Sequence, residues 1–510
     1  MRYISTRDNF RPVSPAEAIL LGMVPEGGLF VPESIPRLDE ARLQGASYHE
    51  TARRVLTSFL TDFTAAELEA CIQRAYNAET FDAPGVVAIH PLDGFRRILE
   101  LWHGPTAAFK DVALQLMPHL TAVAKAKTSD RSHTLILVAT SGDTGKAALE
   151  GFRNVPGISL VVYYPHGGVS EVQMLQMATT DGENTQVVAV RGNFDDCQTG
   201  VKSLFGDPDL RHLLADRGIV FSSANSINWG RLCPQIVYYV QAYYGLVHDG
   251  ILRDGCEVDL CVPTGNFGNI LAGWYARAMG LPVRKLICAS NRNKILTDFF
   301  QTGVYDTNRE FHRTSSPSMD ILISSNLERF LFETTGHDAA RVKGWFDALR
   351  RTGRFEADAD TRRAISDIIV PGWADEPRVF RTIGETFRRT GYVLDTHTAV
   401  AVAVSGDLGA AGVGVPMIIA STASPFKFSS DVLEAITGER PEGEFLSIER
   451  LGRVSGMPVH RAVRGLRDKP VRHDRIIDIA GMRESLLEFA ATIKKREGAR
   501  ISFKKEGKTP

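Results

Sequence analysis

Cysteine is scarce in this chain: six are spread over 510 residues, at positions 71, 197, 233, 256, 261 and 288. None forms a CxxC pair and no Cys/His cluster has zinc spacing, so a disulfide scaffold is excluded and no metal site is expected. Reduced thiols in a cytoplasmic protein are the expectation. An excess of charge is lacking too, with 59 Lys plus Arg against 60 Asp plus Glu and a net charge of −1. Without a basic field, composition offers no support for a nucleic-acid partner. No run approaches the ~18 apolar residues that mark a membrane-spanning helix. Residues 1–14 lack the apolar core of a signal peptide. No membrane partner is therefore expected, and no repeat of fixed period is present. Two nucleotide signatures are also missing. Gly265-x-x-Gly268 lacks the G-x-G-x-x-G spacing, and Gly142-x-x-Gly145-Lys146-Ala147 lacks both the spacer and the Ser or Thr of a P-loop.

What is present is organised around residues 103–112, His-Gly-Pro-Thr-Ala-Ala-Phe-Lys-Asp-Val. His103-Gly104-Pro105 breaks the chain. After it Val112, Leu116 and Leu120, with Ala113 and Met117, recur at helical spacing. Lys110 thus falls at a helix start, where the dipole opposes a cation and lowers an amine's pKa, as Schiff-base chemistry requires. A solvated lysine in a first turn is the plainer alternative.

The rest of the chain alternates. Residues 1–95 read as a separate, mainly helical module, with Ser14-Pro15-Ala16-Glu17 as a capped helix start and helices near 48–60 and 65–77. Apolar strands at 134–139, 158–164 and 186–190 are each followed by a loop and a helix. A second series has strands at 258–262, 284–289 and 417–421, and helices at 232–246, 376–390 and 396–411. Residues 292–370 read as mixed and mostly helical. Strand, glycine loop and helix in repetition indicate a doubly wound α/β architecture. Beyond about 440 the chain reads as helical and charged, ending in a basic, solvated tail at 494–510.

Three loops suit anions. Gly265, Asn266, Phe267, Gly268 and Asn269 lie between a strand and a helix, where glycines bring N–H groups toward an anion and the helix N-terminus adds its dipole. An ordinary βα turn is the alternative there. Ser141, Gly142, Asp143, Thr144 and Gly145 form a second such loop, or a capped helix with Ser141 or Asp143 as N-cap. In the third, 223–231, Arg231 stands at a helix entrance and suits a phosphate or carboxylate fork, or a surface ion pair.

HGPTAAFKD at 103–111 closely resembles the pyridoxal-phosphate lysine motif of the threonine synthase family. The likeness continues, in order, through YISTR and GGLFVPE near the N-terminus, SGDTG at 141–145, GNFDDCQ at 192–198 and NSIN-x-GR at 225–231. It goes on through TGNFG at 264–268, PSMDI and SSN-x-ER within 317–329, and STASP-x-KF at 421–428. It spans about residues 3–440. It implies an α/β protein of pyridoxal-phosphate fold type II, two doubly wound lobes with the cofactor between them. The division would be 1–95 (N-terminal domain), 96–129 with 231–440 (large lobe), 130–230 (small lobe) and 441–510 (helical extension).

The resemblance further implies that Lys110 carries pyridoxal 5'-phosphate and acts as the catalytic base. Residues 265–269 would cradle the cofactor phosphate, and Thr422, or its neighbour Ser421, would face the ring nitrogen. The 141–145 loop would hold the substrate carboxylate, with Ser226, Asn228 and Arg231 at the substrate phosphate. The implied reaction turns O-phospho-L-homoserine and water into L-threonine and phosphate, with that small molecule as the substrate; the resemblance leaves the oligomeric state open. A phospho-lyase releasing 2-oxobutyrate and a cofactor-binding relative without turnover are the alternatives. One departure stands out: the family's usual histidine is replaced by Ser424. His103, His397 and the segments 192–198 and 317–329 read as structural or as site walls. Gly268→Val is expected to crowd the phosphate.

Overall fold

The computed structural model describes residues 1–40, 43–140, 142–409 and 415–493. It divides into two compact units, Met1–Thr128 with Asn225–Arg464, and Ser129–Ala224 with Gly465–Pro510. The basic tail expected at 494–510 lies outside the described residues.

The first unit is built on a six-stranded sheet in the order Ile369–Trp373, Val283–Ser290, Val258–Pro263, Met417–Ser421, Arg96–Glu100, Ala88–Pro91. The first five strands are parallel and the last pair is antiparallel. Val258–Pro263 and Met417–Ser421 are buried along their whole length, as strands covered on both faces are, and the one charge among them, Asp259, is paired with Arg284 at 2.6 Å. The loops 264–269 and 422–428 leave the carboxyl ends of adjacent parallel strands, and the chain toward Lys110 leaves the end of the next one. That is the edge at which open α/β sheets place their ligands.

Residues 1–95, expected as a separate module, share this unit's core. Tyr3–Ser5 pairs antiparallel with Phe30–Pro32. The helices Pro15–Leu21, Tyr48–Phe59 and Ala65–Ala75 start at Ser14, Ser47 and Thr64, the last two with full capping boxes to Glu50 and Glu67. Tyr3, Phe59 and Tyr275 meet the ring of Trp229 edge-on at 5.3, 5.3 and 5.2 Å. Trp229 opens the buried helix Trp229–His248.

The second unit carries a five-stranded, all-parallel sheet in the order Ile476–Asp478, Thr185–Arg191, Ile158–Pro165, His133–Ala139, Ile219–Ser222. Its edge strand comes from the segment beyond 440, where the sequence reads as helical: Ile476 and Ile477 pair with Ala189 and Val190. Residues 482–493 are helical, and Met482, Leu486, Phe489 and Ile493 share one core with Leu135, Val161 and Val188. Among the described residues no helix is long and apolar enough to cross a membrane.

Candidate active site

Lys110 opens a helix of only five residues, Lys110–Leu114, and a second helix, Met117–Thr128, follows. The single helix read from the sequence is therefore two. Pro118 cannot continue a hydrogen-bond ladder but fits a first turn. Five residues carry little dipole, so the helix dipole invoked for Lys110 is small. The turn before it does the placing. Asp111 is fully buried and accepts from the N–H and hydroxyl of Thr106 at 2.9 and 2.7 Å. Burial, opposed by these bonds, pushes its carboxyl up to about 6. Ala107 sits at φ 59°, a left-handed conformation that persists because its neighbours fix it. A Cβ on Gly104 would stand 2.4 Å from that of Asp111. Lys427, also buried, donates to the Thr106 carbonyl at 3.0 Å, and the Phe109 N–H donates to Thr422 O at 2.9 Å. Lys110 is thus held on a knot that ties residues 104–111 to 422–427.

The glycine loop follows Val258–Pro263 and leads into the helix Gly268–Ala278. Phe267, at φ 64°, is buried and left-handed. A Cβ on Gly265 would meet the Ser318 carbonyl oxygen at 2.5 Å. On Gly268 it would meet only ordinary contacts within the chain, 3.4 Å to Asn326 and 3.5 Å to Ser226, so crowding by the protein itself falls on Gly265. The loop is braced from behind. Ser324 donates to Gly265 O at 2.8 Å, and Asn326 donates to Asn266 O and to the Ser226 hydroxyl, both at 3.2 Å. Fully buried Arg329 holds Asn326 at 2.6 Å and Phe30 O at 2.9 Å. Asn269 Oδ1 accepts from Tyr238 and Tyr239, both at 2.6 Å, while its buried Nδ2 has no partner among the described residues. An unpaired amide donor, a glycine with no room for Cβ and the open N–H groups of a first turn together suit one phosphate group.

The two hydroxyls after Met417–Ser421 are unequal. Ser421 accepts from Trp102 Nε1 at 3.1 Å and from Thr398 at 3.0 Å. Thr422, 7% exposed, has no side-chain hydrogen bond among the described residues. Ser424 caps the turn Pro425–Phe428 by accepting from the Phe426 N–H at 3.4 Å. Trp102 stacks on His103, centroids 4.4 Å apart. His103 bridges Asp82 at 2.7 Å and Glu100 at 2.9 Å. Burial would lower its pKa, but these carboxylates raise it to about 9. Burial would likewise raise Glu100, yet His103, His90 and Tyr392 hold it down at about 2.

Arg231 is buried, and burial pushes its guanidinium down to about 10. The surface ion-pair alternative is therefore wrong. Asn228 caps its helix: Oδ1 accepts from the Gly230 N–H at 2.9 Å and Nδ2 donates to Ile19 O at 3.0 Å. In the second unit the helix is Asp143–Phe152, with Gly142 at φ 133° as N-cap. Asp143 does not supply the cap. Ser141 lies outside the described residues, and Asp143, the first helical residue, accepts from Gln173 at 3.1 Å. Thr140 instead accepts from the N–H groups of Gly142 and Gly145, both at 3.0 Å. The first unit thus brings together Lys110, residues 265–269, Ser226 and Thr422. Gly142, Asp143, Thr144 and Gly145 belong to the second.

A family model described as "Threonine synthase N terminus" matches residues 2–76, and one described as "Threonine synthase, C-terminal" matches 398–483. The threonine synthase of Pseudomonas aeruginosa is 40% identical over 86% of this chain and 92% of its own length. Threonine synthase-like 1 of Macaca fascicularis is 40% identical over 91% of this chain, which spans 64% of that relative's length. Among solved structures, the PLP-bound threonine synthase of Brucella melitensis aligns with a TM-score of 0.85 at 35% identity, covering 96% of this chain and 99% of that one.

Proposed function

This chain belongs to the threonine synthase family, and on that footing we propose that it converts O-phospho-L-homoserine and water into L-threonine and phosphate, with pyridoxal 5'-phosphate as cofactor. The observation that carries the reading is the placing of Lys110. The Thr106–Asp111 knot joins it to Thr422, and its amine lies 3.4 Å from the hydroxyl of Ser318, the residue whose carbonyl packs on Gly265. The orphaned Nδ2 of Asn269 and the missing Cβ at Gly265 favour a phosphate group at the glycine loop.

Lys110 would hold the cofactor, residues 265–269 its phosphate, and Thr422 its ring nitrogen. Thr422 would offer that nitrogen a neutral hydroxyl in place of a carboxylate. When bound, the cofactor supplies an electron sink for charge developed at the substrate's α-carbon. Lys110 would take the proton from Cα and, once that proton has been handed on, one from Cβ as the phosphate leaves Cγ; one proton is then returned to Cγ and, after water has added its hydroxyl at Cβ and given its proton to the departing phosphate, one to Cα. Ser226 and Arg231 are the residues proposed for the substrate phosphate. The part given to residues 141–145, the carboxylate, rests on the resemblance alone. Asn228, with both ends of its amide used in packing, serves that group by shaping the helix entrance. The proposed location is the cytoplasm, which suits six cysteines outside any disulfide.

NMR analysis of purified chain, pyridoxal phosphate and O-phospho-L-homoserine tests the reading. Threonine and phosphate in equal amounts are expected; 2-oxobutyrate would make it a phospho-lyase, and unchanged substrate would overturn it. Lys110→Ala should reduce turnover to background and abolish the visible absorption of lysine-bound cofactor. Retained full activity would sink the assignment.

A further inference from the structure

Lys110 Nζ lies 3.4 Å from the Ser318 hydroxyl, and Ser318 belongs to a loop, 314–320, that is pinned on several sides. Asp320 accepts from Asn291, Asn293 and the Thr314 hydroxyl, each at 2.8 Å. The Thr396 hydroxyl donates to Ser315 O at 2.7 Å, and Glu376 accepts from the Ser315 N–H at 3.0 Å. The last restraint falls on Ser318 itself, whose N–H points at Nε2 of His397, 3.2 Å away.

An amide N–H only donates, so this Nε2 carries the lone pair. The His397 ring is therefore neutral, with its proton on Nδ1, which lies 3.1 Å from Asp395 Oδ1. Asp395 is locked in turn. It accepts from the His397 N–H at 2.8 Å, from the Thr398 N–H at 3.3 Å and from the Thr398 hydroxyl. Asp395 and His397 are 1% and 2% exposed. Asp320 is a second carboxylate near His397, and the Phe428 ring packs on the imidazole at 4.8 Å.

The geometry points to Asp395 and His397 as a positioning pair that holds Ser318, and through its hydroxyl sets the proton affinity of Lys110. The inference rests on the reading of Lys110 as the reacting amine. It is not a nucleophile triad: His397 binds the amide of Ser318, not the hydroxyl, so no proton is drawn from the serine. The hydroxyl accepts from the lysine, and a hydrogen bond to the charged form raises an amine's pKa. Held there, it helps Lys110 keep the proton that it takes from the substrate.

The test is the pH dependence of Lys110 acetylation by trace acetic anhydride in the cofactor-free full chain, quantified by mass spectrometry. His397→Leu and Ser318→Ala should each lower the midpoint by about one pH unit. His397→Gln, whose carbonyl can receive the Ser318 N–H, should restore it. In turnover, His397→Leu and Ser318→Ala should each lose about tenfold in kcat with KM changed less than about twofold. An unchanged midpoint in Ser318→Ala overturns the inference, even if His397→Leu fails to fold. So does a folded His397→Leu that titrates like wild type, or a His397→Gln that titrates like His397→Leu. Shifted midpoints in a protein that makes no threonine would leave the positioning standing and remove the functional reading instead.

Discussion

One carbon atom separates the two glycines of the 265–269 loop in consequence. At Gly265 it would strike a backbone oxygen that cannot step aside; at Gly268 it would touch a flexible amide. Gly265→Ala should therefore weaken pyridoxal-phosphate affinity by about tenfold or more, and Gly268→Ala by less than about twofold. Equal losses in a fluorescence titration would refute the difference. At this scale the sequence was legible where the chemistry is local. Lys110, its breaker and the glycine loop are short motifs with their own turn signals. Ser318 and Arg329 were not, because their partners are remote. Ser318 meets a lysine 208 positions away, and Arg329 a carbonyl 299 positions away. The arginine within an apolar stretch was the available hint, since a buried guanidinium has to be fully bonded to something.

Helix starts were the most readable elements, because Ser14, Ser47 and Thr64 cap with residues three positions on. The strand Arg96–Glu100 was not readable. Arg-Arg-Ile-Leu-Glu shows no strand pattern, and its charges are answered by Asp93, His103 and Tyr392. The turn before Asp143–Phe152 lies between these cases: a cap was expected, and among the described residues Thr140 supplies one. Thr140→Val keeps the volume and removes the acceptor for two N–H groups. Hydrogen exchange at Gly142 and Gly145 should speed up about tenfold, with the strand His133–Ala139 unchanged. Equal protection in both proteins would mean that Thr140 does not hold the turn.

For the whole molecule the sequence conveyed the two α/β series, and it left hidden how the chain is shared between them. Residues beyond 464 finish the second sheet and its core. A chain ending at 464 should lose Met482, Leu486, Phe489 and Ile493 from that core. At about 1.5–3 kcal/mol for each buried side chain, the second unit should unfold. Circular dichroism and proteolysis would show it, and a protease-resistant 129–224 fragment would contradict it. Global stability should also follow the His103–Glu100 pair. The pKa of His103 rises from 6.5 to about 9 on folding, so its contribution is complete below 6.5 and is lost as pH climbs through about 9. That of Glu100 falls from 4.5 to about 2, so its contribution is complete above 4.5 and is lost as pH drops through about 2. Thermal melts should show Tm falling on the alkaline side, and His103→Gln should flatten that limb.

The divided chain has one more consequence, at birth. The strand Arg96–Glu100 lies between two neighbours: Ala88–Pro91, made just before it, and Met417–Ser421, made about three hundred residues later. At about 5–20 residues per second on the ribosome, that is a delay of about 15–60 s. The second sheet waits in the same way for Ile476–Asp478. Both sheets are unfinished through most of translation, with sticky edges open to other nascent chains. The yield of active protein should therefore depend on what shelters the growing chain as well as on the stability of the finished one.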